Sequence, residues 1–403
     1  MVVFWTFVGL VSFGLIIYGL QIVAVRLALS PARNRQGHPV LSQSCPPISV
    51  IKPLKGLEDS LFGNLESFCV QDYPEYEVIF SLQDENDPAY KVARKVREKF
   101  PDKPISIVVE RCHHGFNPKV NNLFSAYRHS KYPIILISDS NVTVDPYYLR
   151  TIVKPMDDPE VGLVCNLIKG IGGKTIGSIF ENLHLNSFIL GNICFLERYL
   201  RIPCVVGKSM LMRKSDLEAV GGLASVKDVL AEDHFIGEKI RAQKQRVVIS
   251  NYLISNVNEY WNLRKFINRH VRWGKMRWKI GGVRYLLELT INPVFIACLP
   301  LLLSGPTEKS LFALAVVCLI KIIGDFYLGK SISTAMHPSL YLLSPIKDLF
   351  MGVLWFVPLA DGTVVWRGNR YRMGKDTRLS LCPERGGEWK ARIVEGIKAK
   401  IAW

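Results

Sequence analysis

An uncharged apolar segment over residues 2–25 constrains this chain more than any other feature. Thr6, Ser12 and Gln21 are its polar exceptions. A helix of this length crosses the hydrocarbon core of a bilayer, which is about 30 Å thick. A cleaved signal peptide is the alternative, but the segment is long for one and no positive charge precedes it. We therefore predict a transmembrane anchor over residues 1–27.

The charges after the anchor predict its orientation. Arg26, Arg33 and Arg35 follow the apolar segment, and the first acidic residue is Glu58. Positively charged segments next to a membrane helix favour the cytoplasm, so we predict that the next domain is cytoplasmic. The whole chain is 49% apolar and 21% charged, yet its net charge is +16. An integral membrane protein with a basic cytoplasmic side explains both facts.

Nucleic-acid binding is the rival explanation for the positive charge. The sequence contains neither zinc-finger spacing nor another recognisable nucleic-acid module, so no nucleic-acid partner is predicted. The nine cysteines are scattered, and no two form a C-x-x-C pair. This pattern predicts reduced thiols in a domain that faces the cytosol.

Strand and helix patterns alternate over residues 45–262. Strands are predicted at residues 48–55, 76–82, 105–109 and 161–165 and in the run that begins at Pro133, and helices at residues 61–69 and 89–100. This alternation predicts an α/β catalytic domain with a mostly parallel sheet and helices on both faces.

The run at residues 133–141 is a short buried strand that ends in polar side chains. Asp139 and Asn141 stand two positions apart beyond its apolar part. Ligands of open α/β sheets bind beyond the carboxyl ends of the strands, so Asp84, after the second strand, is expected in the same crevice. Oxygen ligands of this kind suit Mg²⁺ or Mn²⁺ bound to a diphosphate. A strand that simply ends in a polar turn is the alternative.

A basic, aromatic segment over residues 263–284 follows the catalytic domain. It contains Trp273 and Trp278 among many lysines and arginines, with no acidic residue. We predict an amphipathic helix that lies on an anionic membrane surface.

Membrane segments are predicted over residues 285–360, followed by a basic tail over residues 361–403. The apolar stretches are residues 285–303, 311–328 and 340–359. Three complete spans would place the basic tail outside, against the positive-inside rule. The third stretch contains Lys347 and Asp348, so we predict a kinked or re-entrant element and a cytoplasmic tail.

Three acids and a basic aromatic motif follow one another along the chain in an order that is typical of one enzyme class. They are Asp84, Asp139 and Asp233, followed by Arg269, Arg272 and Trp273. The succession resembles the inverting, membrane-bound glycosyltransferases with a GT-A fold. Further similar segments are residues 51–56, 71–74, 117–122, 207–213 and 231–233. With these segments the chain resembles the ceramide glucosyltransferase family, which makes glucosylceramide from UDP-glucose and ceramide.

The resemblance implies a role for each acid. Asp84 would bind the uridine part of the donor. Asp139 would hold Mg²⁺ or Mn²⁺ on the UDP diphosphate, with Asn141 in place of the second Asp of the D-x-D pattern. The amide lowers the negative charge of this site, which weakens the expectation of a metal. Asp233 would be the general base.

The resemblance also implies roles for basic and amide side chains. Arg272 and Trp273 would close over the diphosphate or line the acceptor mouth, and Arg269 occupies the first place of that motif. Candidates to line the donor cleft are Lys55, Asn117, Lys119 and Asn122. The alternative for Lys55, and for Lys52 beside it, is a solvated loop lysine. The alternative for the arginine motif is a membrane-surface anchor.

The predicted activity is transfer of glucose from UDP-glucose to a ceramide hydroxyl with inversion. A carboxylate base is needed because a lipid hydroxyl is a weak nucleophile at neutral pH, and such a base contributes about 10²–10⁴-fold. Transfer to another lipid such as a hopanoid polyol, a processive polysaccharide synthase and a non-catalytic membrane scaffold are the alternatives. The predicted location is the Golgi membrane in a eukaryote or the inner membrane in a bacterium.

Overall fold

A curled sheet with helices on both faces adjoins a group of apolar helices. The computed structural model describes residues 2–30, 44–366 and 369–382. Some predicted basic positions lie outside the described residues: Arg33, Arg35, Arg367 and residues 383–403.

The central sheet has eight strands. They are β1 Ile48–Pro53, β2 Tyr76–Leu82, β3 Ile105–Val109, β4 Ile134–Ser138, β5 Val142–Thr143, β6 Val161–Ile171, β7 Ser209–Arg213 and β8 Arg246–Val257, in the order β3-β2-β1-β4-β7-β6-β8-β5. The β1–β2, β2–β3 and β1–β4 pairs are parallel, and so is β6–β8. Strand β7 is antiparallel to β4 and β6. The mostly parallel sheet is confirmed, and the carboxyl ends of β2, β1 and β4 meet at one edge.

Alternate residues of the strands serve two separate hydrophobic cores. The helices of this domain are α2 Leu61–Cys69, α3 Pro88–Lys99, α4 Pro118–His129, α5 Tyr148–Val153, α6 Ile176–His184, α7 Leu190–Leu200, α8 Lys214–Ala219 and α9 Glu232–Ala242. Val50 packs with residues of α2, α3 and α5, whereas Ile51 packs with residues of α4, α8 and α9. Neighbouring residues of a strand point to opposite faces, so both faces are covered as predicted.

Within the described residues, three helical segments are long and apolar enough to cross a membrane. The helices outside the catalytic domain are α1 Val2–Leu29, α10 Leu263–Gly281, α11 Pro293–Ser304, α12 Glu308–Ser331, α13 Ser344–Leu354 and α14 Val357–Ala360. The three candidate spans are Trp5–Leu29, Glu308–Ser331 and Pro338–Ala360. The last of these contains a break between α13 and α14. Its kinked or re-entrant character stays a prediction.

The first predicted C-terminal stretch is not one straight span. Helix α10 ends at Gly281, three residues before the predicted end, because Gly282 adopts a φ of 53° that favours glycine. A 3₁₀ segment, Gly282–Ile291, follows. Pro293 then begins α11. The segment Leu263–Ile291 and the helix Pro293–Ser304 are bent by 77° relative to each other. Proline is favoured in the first turn of a helix, where its missing N–H is not needed.

Contacts give the direction of the helices relative to the sheet. The ammonium of Lys169 on β6 donates to the carbonyl oxygen of Ile332, just after α12, at 3.1 Å. Farther from the sheet, Val11 and Leu15 of α1 pack against Val294 at the start of α11. The chain therefore leaves the sheet through the bent segment and returns to it along α12, which is about 36 Å long at 1.5 Å per residue.

A buried group of polar and charged side chains, with no net charge, lies between α1, α12 and α13. It comprises Tyr18, Lys321, Asp325, Lys347 and Asp348, all buried. Tyr18 donates to Asp325 at 2.7 Å, and Lys321 pairs with both Asp325 and Asp348. Two lysines are matched by two aspartates, which is how charges are usually tolerated inside a helix bundle.

The predicted basic tail contains a small antiparallel sheet. Its strands are β9 Thr363–Trp366, β10 Asn369–Met373 and β11 Leu379–Leu381. The N–H of Leu379 donates to the carbonyl of Asp228, and the N–H of Leu230 donates to the carbonyl of Thr377. The described part of the tail therefore lies against the loop that leads into α9.

Candidate active site

Asp139 stands beyond the carboxyl end of β4, between two lysines. The Lys119 ammonium lies 2.9 Å from its Oδ1, and the Lys208 ammonium lies 2.9 Å from its Oδ2. Burial opposes ionisation of this carboxyl, but Lys119 and Lys208 hold its pKa well below the usual range. Asp139 is therefore a carboxylate at every physiological pH.

Lys119 is placed by the start of α4. The side-chain oxygen of Asn117 accepts from the N–H groups of Lys119 and Val120, and Pro118 occupies the first helical position. The Asn117 amide also donates to the carbonyl of Val229 at 2.6 Å and to Glu232 at 3.3 Å. Asn117 is completely buried, so its contacts are those of a residue that positions Lys119.

The Lys119 ammonium also joins Asp139 to the start of α9. It lies 2.9 Å from Glu232 and donates to the carbonyl of Gly207 at 3.0 Å. Burial would lower the pKa of Lys119, but Asp139 and Glu232 raise it. Lys119 thus remains an ammonium at the centre of the site.

Asp233 is the second residue of α9 and is held by two backbone donors. Its Oδ2 accepts from the N–H of Gly207 at 2.7 Å, and its Oδ1 accepts from its neighbour His234 at 2.8 Å. A Cβ on Gly207 would lie 2.7 Å from Oδ2, so only glycine permits this approach. Burial raises the pKa of Asp233, which makes the carboxylate a stronger proton acceptor.

The two predicted metal ligands, Asp139 and Asn141, both contact the ammonium of Lys208. The Lys208 ammonium donates to the Asn141 carboxamide oxygen at 2.7 Å and pairs with Asp139 at 2.9 Å. Burial lowers the pKa of Lys208, and Asp139 opposes this effect. Lys208 precedes β7, whose first residue, Ser209, donates to Asn166 at 2.7 Å.

Comparison with known proteins identifies the family. The family model described as Glycosyl transferase family 21 matches residues 7–379. The chain belongs to glycosyl transferase family 21. The match covers the catalytic sheet as well as the membrane helices, and it confirms that the chain is a hexosyltransferase of the ceramide glucosyltransferase family.

Named relatives and a solved structure agree with this assignment. Ceramide glucosyltransferase 1 of Caenorhabditis elegans is 27% identical over 352 residues, which cover 83% of this chain and 73% of the relative. Ceramide glucosyltransferase 3 of the same organism is 25% identical over 381 residues, covering 91% and 81%. The mannosyltransferase PcManGT from Pyrobaculum calidifontis, solved with GDP-Man and Mn²⁺, has a TM-score of 0.51 at 17% identity, covering 88% and 96%. The likeness confirms the GT-A-like fold.

In this family 21 chain, a buried ionic cluster borders the Asp139 site. The Arg269 guanidinium lies between the rings of Trp261 and Trp273, 5.1 and 4.2 Å from their centroids, and 3.4 Å from Glu181. His270 bonds to the other oxygen of Glu181 at 2.7 Å. Burial works against ionisation of Glu181, but Arg269 and His270 lower its pKa, and Lys208 adds to the effect.

Arg272 and Trp273 lie where α10 meets the C-terminal sheet. Arg272 is half-buried, with its guanidinium 6.0 Å from the ring centroid of Trp366 on β9. Trp273 packs at the edge of the hydrophobic core beneath the sheet. These contacts connect the arginine motif to the catalytic domain and to the C-terminal sheet.

The other predicted site residues lie at the same sheet edge but outside the lysine cluster. Asp84 is exposed after β2 and accepts from the N–H of Asn86 at 2.9 Å. Lys55 pairs with Asp87 at 3.1 Å. Asn122 is buried and donates to the carbonyl of Leu54 at 2.9 Å, which ties α4 to the end of β1. The roles predicted for these side chains stay predictions.

Sequence reasoning missed three members of the site. Lys208 and Glu232 lie inside segments that carry the family resemblance, but the resemblance assigned them no role. The simpler interpretation of Lys52 as a solvated loop lysine is wrong, because it is completely buried and donates to the carbonyl of Asp139 at 2.7 Å. Burial lowers the pKa of Lys52 well below its ordinary value. A lysine inside a mostly apolar strand was the available signal.

Proposed function

We propose that this family 21 enzyme transfers glucose from UDP-glucose to the hydroxyl of a ceramide-like lipid, with Asp233 as general base. The single observation that carries the proposal is the Asp139–Lys119–Glu232 chain, which puts Asp233 beside a cationic pocket at the carboxyl edge of the sheet. The names of the two nematode relatives support ceramide as the acceptor.

The pocket suits an anionic diphosphate. Two ammonium groups, from Lys119 and Lys208, surround the Asp139 carboxylate, and Lys52 lies below it. The departing UDP gains negative charge, so cationic donors stabilise the transition state more than the ground state. Arg272 suits the same task because its planar fork matches phosphate oxygens, and Asp84 at the end of β2 is assigned to the uridine.

The residues present do not fit a resident Mg²⁺ or Mn²⁺. Both Asp139 oxygens face ammonium groups, and the Asn141 oxygen accepts from Lys208. Among the described residues, no group of three or more His, Cys, Asp or Glu side chains is arranged to hold a metal ion. We therefore derive no step through a metal.

Asp233 can take the proton of an attacking lipid hydroxyl. Its two backbone donors fix the carboxylate, while its side chain is only partly buried and so remains open to the crevice. A base on one side of the sugar and the UDP leaving group on the other produce attack from the far face. This arrangement predicts inversion at the anomeric carbon.

A cavity next to the ionic cluster is our candidate for the lipid headgroup. It is lined by His184, Phe188, His270, Tyr285 and Trp355 among others. Both ring nitrogens of His184 and the Nδ1 of His270 have no hydrogen-bond partner among the described residues, although both rings are buried. Buried polar groups are normally paired, so these nitrogens suit the amide and hydroxyl groups of ceramide.

The membrane arrangement follows from the return of the chain to the sheet. We place both the catalytic sheet and the C-terminal sheet in the cytoplasm, with α1, the bent segment before α12, and α12 as the crossings. Basic residues on the described tail support this side: Arg370, Arg372, Lys375 and Arg378. Pro338–Ala360 is then a re-entrant element.

The function is tested with the full chain purified in detergent. With UDP-glucose and a short-chain ceramide, we expect one hexose per lipid by mass spectrometry, equimolar UDP release and a β-linked product by NMR. Product on a hopanoid polyol but not on ceramide would move the acceptor to another lipid. A polymer would point to a polysaccharide synthase, and the absence of any transfer or UDP binding would overturn the proposal.

Replacing His184 by leucine is expected to weaken acceptor binding selectively. The loss of a hydrogen bond in a buried site costs about 1 kcal/mol or somewhat more, so the KM for ceramide should rise roughly tenfold. The KM for UDP-glucose should stay within about twofold, because the cavity lies outside the lysine cluster. His129→Leu, at the end of α4, is the matched control. An unchanged ceramide KM in His184→Leu would remove the cavity from the acceptor path.

A further inference from the structure

We propose that the Lys208 ammonium takes the place of a divalent cation between Asp139 and Asn141, so that the donor diphosphate binds without metal. The inference rests on the proposed function, because it concerns the same donor site. It assigns the positive charge that accepts the leaving diphosphate to a side chain of this protein.

The first argument is convergence. The Asp139 and Asn141 oxygens both point at one nitrogen, at 2.9 and 2.7 Å. These are the two oxygens that the sequence predicts as metal ligands, and the atom found between them is cationic. An aspartate and an amide two residues apart after a strand therefore form a cation site in this chain, and Lys208 fills it.

The second argument is the remaining donor capacity of the ammonium. A lysine has three N–H groups, and within the described part of the chain two of them are directed at Asp139 and Asn141. One N–H is left for a phosphate oxygen. Lys119 differs, because its three N–H groups are already directed at Asp139, Glu232 and the carbonyl of Gly207, so it contributes its charge to the pocket. Lysine acts as a point charge for phosphate in such sites.

The third argument is charge. A divalent ion bound to Asp139 would lie next to both ammonium groups, which are only 12% and 13% exposed and therefore poorly screened. Moving Lys208 aside would break its bonds to both oxygens. The backbone next to Lys208 is also fixed. The following residue, Ser209, begins β7, and its hydroxyl is hydrogen-bonded to Tyr148 and Asn166.

The inference is tested by binding, which does not depend on the acceptor or on the base. UDP binding to the full chain in detergent is measured by calorimetry after treatment with EDTA, and again with MgCl₂ or MnCl₂. We expect the Kd for UDP to agree within about twofold between these conditions. UDP binding that disappears with EDTA and returns with either metal would overturn the inference while leaving the proposed function intact.

A variant without the Lys208 ammonium should turn the site into a metal site, and metal binding then gives a second measurement. In Lys208→Met, the Asp139 and Asn141 oxygens lose their cation, so metal-free UDP affinity should fall at least about tenfold and Mn²⁺ should restore part of it. Electron paramagnetic resonance should detect Mn²⁺ bound to this variant and not to the wild type. Lys208→Arg should keep metal-free binding, and Lys214→Met, just after β7, should behave as wild type.

The outcomes separate the two proposals. If neither the wild type nor any variant binds UDP with or without metal, the proposed function fails. If the wild type binds Mn²⁺ at the donor site and needs it for UDP, Lys208 is only a side chain that the metal displaces. If Lys208→Met does not fold, the EDTA measurement on the wild type still decides the question.

Discussion

Replacing Asp233 by asparagine should lower the rate of sugar transfer by about 10²–10⁴-fold without weakening UDP binding. Asparagine keeps an oxygen that can accept from the N–H of Gly207, so the geometry at the start of α9 should survive. What is lost is the ability to take the proton of the lipid hydroxyl. The measurement pairs single-turnover transfer to ceramide with UDP titration of the same preparation.

Glu238→Gln is the control for this variant. Glu238 is an exposed carboxylate one turn along α9, and it pairs only with Arg241 among the ion pairs described here. It should retain wild-type transfer. An Asp233→Asn enzyme with more than about a tenth of wild-type activity would exclude Asp233 as the base, because a missing base costs at least about 10²-fold.

The sequence predicts best those strands whose own residues have a strong strand preference. The bounds of β2 and β3 agree with the prediction to the residue, since both segments are rich in β-branched and aromatic side chains between polar turns. Strand β7 escapes prediction. Its residues, Ser-Met-Leu-Met-Arg, carry little strand preference, and it forms because β4 and β6 lie on either side of it.

The sequence drew attention to Asp84 and Asp139 because each follows a strand pattern, and to Asp233 through the family resemblance. The lysine partners could not be predicted, because ion pairs such as Lys208 with Asp139 join residues far apart along the chain. Their pairing depends on β7 lying antiparallel to β4, which places residue 208 beside residue 139. Sequence patterns predict that a lysine is present but not which carboxylate it neutralises.

In the membrane segments, too, some features could be predicted from the sequence and others could not. Composition predicted the apolar stretches, but not the end of α10 at Gly282 or the bend before α11, because a glycine with positive φ and a proline that begins a helix do not alter the apolar pattern. The small sheet formed by β9, β10 and β11 was missed since its strands are short and basic. Backbone contacts of Leu379 and Leu230 bring the described part of the tail to the catalytic domain, which supports our proposal that both lie on one side of the membrane.

Replacing Lys119 by methionine should abolish detectable transfer and lower the stability of the fold. Among the ion pairs of the described residues, Lys119 alone pairs with both Asp139 and Glu232, and it is 12% exposed. Removing one partner of a buried ion pair leaves a charge without compensation and typically costs about 3–5 kcal/mol. Loss of the positive charge beside the leaving diphosphate should lower the rate by a further factor of roughly 10²–10³.

A second substitution separates the structural part of this effect from the chemical part. Lys119→Met combined with Glu232→Gln removes one of the two stranded carboxylates, so it should recover about 0.5–3 kcal/mol of stability through the coupling of the pair. Transfer should remain undetectable, because the diphosphate still lacks the Lys119 charge. Thermal unfolding in detergent and UDP calorimetry measure the two parts on the same samples. Lys239→Met on α9, whose ammonium contacts only the carbonyl of Val220 among its described hydrogen bonds, is the control. If the double variant regained both stability and transfer, Lys119 would be a structural residue that merely neutralises Glu232, and the cationic pocket would have to be assigned to Lys208 and Arg272 alone.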